Sequence, residues 1–116
     1  MEGVCKTARA EGTCDIKPVA PVLYNSKEYA DKVEATARKL FGDQWVVHYN
    51  KPTMASEDAA FFLDLLPGNY VNIVAPKACS DGKVYPLHNS HFCFDEDVLY
   101  RGSALFAQSA FDWLAE

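Results

Sequence analysis

Residues 25–50, NSKEYADKVEATARKLFGDQWVVHYN, decide the fold, because the hydrophobic period changes from helical to extended within this one stretch. Asn25 stands where a helix cap belongs, and Glu28 three residues on completes a capping box. Tyr29, Val33, Ala37, Leu40 and Phe41 then recur at helical spacing on one face, and Gly42 supplies the usual glycine stop. Gln44 to Tyr49 is rich in β-branched and aromatic residues, so a strand is expected there, ended by Asn50-Lys51-Pro52. A helix handing over directly to a strand points to an α/β layer arrangement.

Working outward, Ser56 is placed to cap a second helix with Glu57 and Asp58 in its first turn, where the helix dipole favours carboxylates. Phe61, Phe62, Leu65 and Leu66 supply its expected apolar face, and Pro67-Gly68 ends it. Tyr70 to Ala75 predicts another strand, followed by a long loop from Pro76 to Cys93. The last helix is expected near Asp95, with Leu99, Gly102, Leu105 or Phe106, Ser109 and Trp113 on one face. Upstream, Glu2 to Ala10 is weakly helical, and Thr13 to Val19 alternates as a strand that Pro18 restricts to a sheet edge. Pro21 to Tyr24 is a connector. A lone helix and an edge strand need neighbours, so the first twenty residues make a poor start for a domain.

At 116 residues the chain suffices for one small domain that buries roughly two-thirds of its unfolded surface. Hydrophobic residues at 49% and charged residues at 23% argue for a globular rather than a disordered chain. A net charge of −5, with lysines and arginines scattered, offers no surface for nucleic acid. No apolar stretch approaches the ~20 residues that cross a bilayer, and the start lacks a secretory leader's apolar core, so a soluble cytoplasmic chain is expected. Cys5, Cys14, Cys79 and Cys93 form no C-x-x-C pair, which disfavours a zinc ribbon or redox dithiol. An even count allows two disulfides in a secreted protein; without a leader, free and mostly buried thiols are expected.

Taken by spacing alone, the chemistry-bearing residues say little. His88 reads as a surface loop histidine, and His91 joins it at one metal only in a tight turn. His48 reads as a packed or half-exposed strand residue. Glu57 and Asp58 are adjacent, so on a helix they point about 100° apart and do not share a proton. Asp95-Glu96-Asp97 reads as charge at a helix start. Cys93 near a histidine hints at a nucleophile but lacks an orienting partner. No phosphate loop, G-x-S-x-G elbow or H-E-x-x-H pair is present.

Three stretches together carry a resemblance. Lys51-Pro52-Thr53-Met54-Ala55-Ser56-Glu57-Asp58 resembles the P-x-M-x-x-E-D segment of the metal-dependent amidohydrolases that include aminoacylases, hippurate hydrolase and auxin-conjugate hydrolases. Leu87-His88-Asn89-Ser90-His91-Phe92 resembles that family's L-H-[NS]-P-x-F segment, and Asp95-Glu96-Asp97-Val98-Leu99 through Gly102 its closing D-E-x-x-L-x-x-G stretch. Pro21 to Gly42 is similar to the family's P-x-x-x-N turn and the helix after it.

The resemblance implies the C-terminal part of a zinc-peptidase-like catalytic domain over residues 21–116, with residues 1–20 as the tail of an α/β lid that mediates dimerisation. It implies that His88 is the last metal ligand of a site for two divalent ions, zinc, manganese or cobalt. Glu57, Asp58 and Asn89 would take supporting roles around that site. In the complete enzyme, metal-activated water would attack the amide of an N-acyl amino acid, with a glutamate as general base. That glutamate and the other ligands belong to upstream motifs absent from this chain. The chain is therefore expected to hold no catalytic residue, to bind no metal tightly by itself and to be inactive alone. A homodimer or the missing N-terminal portion is the implied partner. The alternative is a short non-catalytic protein, or split-enzyme subunit, that pairs with another chain. Ala59 replaces the family's usual aromatic, Ser90 its proline and Cys93 a polar residue, which leaves substrate class open.

Overall fold

The computed structural model describes residues 2–49 and 51–115. Its helices are α1 (Glu2–Thr7), α2 (Lys27–Phe41), α3 (Ala59–Leu65) and α4 (Leu99–Leu114), with 3-10 turns at Asp43–Trp45 and Glu96–Val98. Ion pairs one turn apart support α2, Lys27 with Asp31 on the solvent side and Arg38 with Glu34 half-buried. Gly42 ends α2 at φ 90°, a left-handed conformation that a side chain resists, while its N–H reaches the Arg38 carbonyl at 2.9 Å.

The start of α2 differs from expectation. Ser26 rather than Asn25 occupies the cap position, without a side-chain bond, and the Asn25 amide is spent elsewhere. Asn25 Nδ2 donates to the Tyr70 carbonyl at 2.9 Å, and its Oδ1 accepts the Tyr70 N–H at 2.8 Å. One side chain thus satisfies both backbone groups of a residue 45 positions away. Ser26 N–H adds a bond to the Gly68 carbonyl at 3.0 Å.

The main contact between elements is α2 against α4. Leu105 is 8% exposed, and Thr36 is buried with its hydroxyl donating to Asp112 at 3.1 Å. Tyr29 stacks on Trp113 with ring centroids 4.8 Å apart, and Lys32 Nζ lies 4.6 Å from the same indole's centroid. The Arg101 guanidinium sits 3.6 Å from the Trp45 ring centroid, tying the first 3-10 turn to α4. Ile73 crosses α4 at Gly102, where an added Cβ would meet Ile73 Cγ1 at 3.5 Å in ordinary van der Waals contact.

The expected strands at Thr13–Val19, Gln44–Tyr49 and Tyr70–Ala75 do not form among the described residues, where pairing is limited to one antiparallel bridge between Pro76 and Phe94. The expected end of the second strand at Asn50 lies outside the described residues. A strand exists only through its neighbours, and these extended segments have none beside them. The apolar face expected on α3 is also turned outward. Ala60 is fully buried and Leu63 half-buried, but Phe61, Phe62, Leu65 and Leu66 are exposed.

The outcome is an open shape. The radius of gyration is 20.0 Å, against about 13 Å for a compact domain of this length. The accessible surface is 10021 Å², where a folded monomer of 12.9 kDa shows roughly 6,300 Å². The expected burial of roughly two-thirds of the unfolded surface is not reached, because only the α2–α4 seam and the Ala60 contact close over. No helix of the described residues is long and apolar enough to cross a membrane.

Leu105→Ala should destabilise the helical structure by about 2–4 kcal/mol in urea unfolding followed by circular dichroism. Phe106→Ala, on the outward side of α4, should stay within about 0.5 kcal/mol. Gln108, and then Thr36, hold the Asp112 carboxyl below the usual carboxylate range. A depressed pKa means that the seam's contribution is present above the usual range and lost as pH falls through the lower folded value. Asp112→Asn should flatten that acid dependence.

Candidate functional site

His88 sits at the far end of the loop between Pro76 and Phe94. Two links close the base of that loop. The Asp95 N–H donates to the Ala75 carbonyl at 3.1 Å beside the Pro76–Phe94 bridge. Next to it a disulfide joins Cys79 to Cys93, with Cα atoms 5.8 Å apart. The expectation of free thiols throughout is therefore corrected for this pair, while Cys5 and Cys14 are free. Chain reversal through the loop brings two residues 14 apart in sequence to bonding distance, a proximity that spacing alone does not reveal. Cys79 Sγ also lies 2.9 Å from the His91 carbonyl oxygen. A bonded sulfur has no proton to donate, so this is a close sulfur–oxygen approach rather than a hydrogen bond.

Inside the loop, successive turns fix the backbone. Asn89 N–H donates to the Pro86 carbonyl at 3.3 Å, and Phe92 N–H to the Asn89 carbonyl at 3.0 Å. Asn89 Oδ1 accepts the His91 N–H at 2.9 Å. His88 occupies the third position of the first turn with φ 67°, a left-handed conformation that histidine adopts more readily than most residues other than glycine. Arg9, after α1, has φ 52° as well. The His88 side chain is exposed. His91 is occupied differently, its ring tilted against Tyr85 at a centroid distance of 5.4 Å. The Tyr85 hydroxyl donates to Asp81 at 2.6 Å, which holds the Asp81 carboxyl below its ordinary range.

Glu57 and Asp58 precede α3. Glu57 Oε2 accepts the Tyr70 hydroxyl at 2.9 Å, and its Oε1 accepts the Ala59 N–H at 3.3 Å. The Tyr70 bond is the larger cause and the Ala59 amide the next in keeping the Glu57 carboxyl below the usual carboxylate range; the same contact pushes the Tyr70 hydroxyl up. Asp58 takes the cap position of α3 without a side-chain bond, so the expected Ser56 cap is displaced by two residues. Since Asn25 grips the Tyr70 backbone, segments 25–26, 57–59 and 68–70 form one hydrogen-bonded unit. Tyr70 and Asn25 were not legible as site residues, because their partners are distant in sequence.

The three histidines do not converge. His48 Nε2 lies 3.3 Å from Glu34 on the α2 surface. Among the described residues, no group of three or more histidine, cysteine, aspartate or glutamate side chains is placed to hold a metal ion. His48, His88 and His91 are all exposed, and of the three His88 alone has a positive φ. Asp95 caps the turn before α4, its Oδ1 accepting the Asp97 N–H at 3.2 Å, as the charge at that helix start suggests.

Comparison with known proteins gives a consistent picture. The model of peptidase family M20/M25/M40 matches residues 6–112. Hippurate hydrolase of Campylobacter jejuni is 30% identical over 115 residues, covering 96% of this chain and 28% of that protein. Thermostable carboxypeptidase 2 of Saccharolobus solfataricus is 34% identical over 98 residues, covering 82% of this chain and 24% of that protein. IAA-amino acid hydrolase ILR1-like 2 of Arabidopsis thaliana is 28% identical over 100 residues, covering 86% of this chain and 22% of that protein. The chain thus spans about a quarter of the length of the curated relatives it matches. No solved structure matches it.

Tyr70→Phe should raise the Glu57 pKa toward the ordinary carboxylate range, read from the side-chain carboxyl shift in an NMR titration. The parent keeps the Glu57–Tyr70 bond above the usual range and loses it as pH falls through the depressed value. His88→Gly should leave the loop at least as stable as the parent, by up to about 1 kcal/mol, because glycine adopts positive φ without strain. His88→Ala should bring no such gain.

Proposed function

This chain belongs to peptidase family M20/M25/M40, and from that premise we propose that it is the C-terminal portion of a metal-dependent N-acyl amino-acid amidohydrolase. The observation that carries the proposal is His88, an exposed imidazole held at positive φ by a closed loop, in the position where the L-H-N motif places a metal ligand. The relatives' names share one chemistry, hydrolysis of hippurate, of an indole-acetyl amino acid, or of a peptide at its carboxyl end. Each substrate presents an amide bond next to an amino-acid carboxylate, and an amide of that class is the proposed substrate here.

In the proposed site His88 supplies one nitrogen to a pair of divalent ions, zinc, manganese or cobalt. Bound metal of this kind supplies a water acidified to near neutrality and polarises the scissile carbonyl. This chain's own part is positional. The Pro86–Asn89 turn aims the imidazole, and the Asn89 side chain fixes the turn after it through the His91 amide. Glu57, kept ionised by Tyr70 and the Ala59 amide, and Asp58 beside it are proposed as supporting groups at the edge of the substrate pocket.

The extended segments and outward apolar residues support the rest of the proposal. Residues 44–49 and 70–75 become strands of an α/β catalytic domain, and residues 13–19 an edge strand of the lid, once further polypeptide lies alongside. Phe61, Phe62, Leu65 and Leu66 are then covered. Residues 1–20 belong to a neighbouring lid that pairs two subunits. The same exposed surfaces also suit a second arrangement, in which the covering polypeptide is a separate chain and the enzyme is split.

An antibody to residues 95–116 applied to extracts of the source decides between them. A native band several times larger than 12.9 kDa is expected. A 12.9 kDa band that co-purifies with a chain bearing the missing ligands favours the split enzyme. In whichever native protein is found, His88→Ala should cut hydrolysis of N-acyl amino acids by more than about a hundredfold. Full activity in that variant would end the assignment of His88.

A further inference from the structure

We propose that the Cys79–Cys93 disulfide is a thiol-sensitive clasp on the His88 loop, closed when oxidised and opened by a dithiol reductant. The coupling of the clasp to hydrolysis rests on the assignment of His88 above; the clasp itself rests on the geometry of the loop.

Three features of the loop point to a clasp rather than to a bond buried for stability. The first is where the crosslink lies. It spans the base of the loop, one position inside the Phe94 bridge, so the whole segment from Ser80 to Phe92 hangs from it. The second is how little else holds that segment. Its hydrogen bonds are local, between Cys79 and both Gly82 and Lys83, from Lys83 and Tyr85 to Asp81, from His91 to Asn89 and from Asn89 and Phe92 back to Pro86 and Asn89, with ring contacts of Tyr85 on His91 and Phe92 on Phe94. The links from the base to the rest of the chain are the bridge and the Asp95–Ala75 bond. The third is access. Both cysteines are only half-buried, and they line one open groove with Lys77, Ser80, Phe92 and Glu96. An attacking thiolate can enter that groove, where Lys77 and Glu96 bring charges of opposite sign. Exposed disulfides of this kind are the labile ones.

The exchange balances as follows. A thiolate of the dithiol attacks one cysteine sulfur, the Cys79–Cys93 bond breaks, and the other sulfur leaves as a thiolate that takes up a proton. The dithiol's second sulfur then attacks the mixed disulfide. The reductant ends as its own disulfide, and the chain ends with two thiols, having gained two electrons and two protons. With the clasp open, the loop keeps its local turns, and its base is held by the Pro76–Phe94 bridge and the Asp95–Ala75 bond without a covalent link. His88 then samples many positions, and a ligand that is not pre-positioned binds metal more weakly.

The test uses the native protein, isolated with its thiols blocked by iodoacetamide. Peptide mapping should recover Cys79 joined to Cys93, with Cys5 and Cys14 alkylated. Treatment with dithiothreitol should raise amide hydrogen exchange across residues 82–93 at least tenfold while α2 and α4 are unchanged. It should also lower hydrolysis of N-acyl amino acids at least fivefold, reversibly on reoxidation. The Cys79→Ser/Cys93→Ser double variant should show the fast exchange and low activity without reductant, and no further response to it. Alkylation of all four cysteines before reduction, or unchanged exchange after it, overturns the clasp. Faster exchange with unchanged hydrolysis, in a protein that His88→Ala does inactivate, overturns the coupling. If His88→Ala retains activity, the assignment of His88 fails, and the exchange measurement alone judges the clasp.

Discussion

The seam between α2 and α4 organises the rest of this molecule. Thr36, Leu105, Asp112 and the Tyr29–Trp113 pair meet there, and other segments are placed by their attachment to one or other helix. The Trp45 turn is pinned to α4 by Arg101, and residue 73 crosses α4 at Gly102. The Tyr70 segment is gripped by Asn25 at the entrance to α2. A short seam of this kind buries little apolar area. Side chains that would close a core in a compact domain, Phe61, Phe62, Phe106 and Phe111 among them, face outward. Hydrophobic burial is the dominant favourable contribution to folding, and here much of it is left unrealised.

That deficit gives the family relationship physical content. A chain about a quarter as long as its relatives carries, among the described residues, segments with strand-forming composition but no sheet, and apolar helix faces with no cover. The loop around His88 is the exception. Its turns, its disulfide and its left-handed histidine are all fixed by residues within a short span.

Local features were the legible ones. The helical spacing from Tyr29 to Phe41 and the stop at Gly42 correspond to α2, and Asp95 does cap the turn into α4. The motif around His88 and the order of the three resembling stretches led to the family that the comparisons identify. What the sequence could not display were choices settled at long range. Asn25 is as good a cap by composition as by any rule, yet its amide serves Tyr70 instead. The α3 face could not be assigned from periodicity, because Ala60 and Leu63 define one stripe and Phe61, Phe62, Leu65 and Leu66 another. Composition likewise treats the cysteines alike, whereas the path of the loop joins Cys79 to Cys93 and leaves Cys5 and Cys14 free.

We infer that these residues complete their fold only against further polypeptide, and small-angle scattering with in-line mass determination on the isolated chain tests this directly. The expected result is either a monomer with a radius of gyration near 20.0 Å or self-association through the uncovered apolar faces. A stable monomer with a radius of gyration near 13 Å, the value for a compact domain of this length, would contradict it.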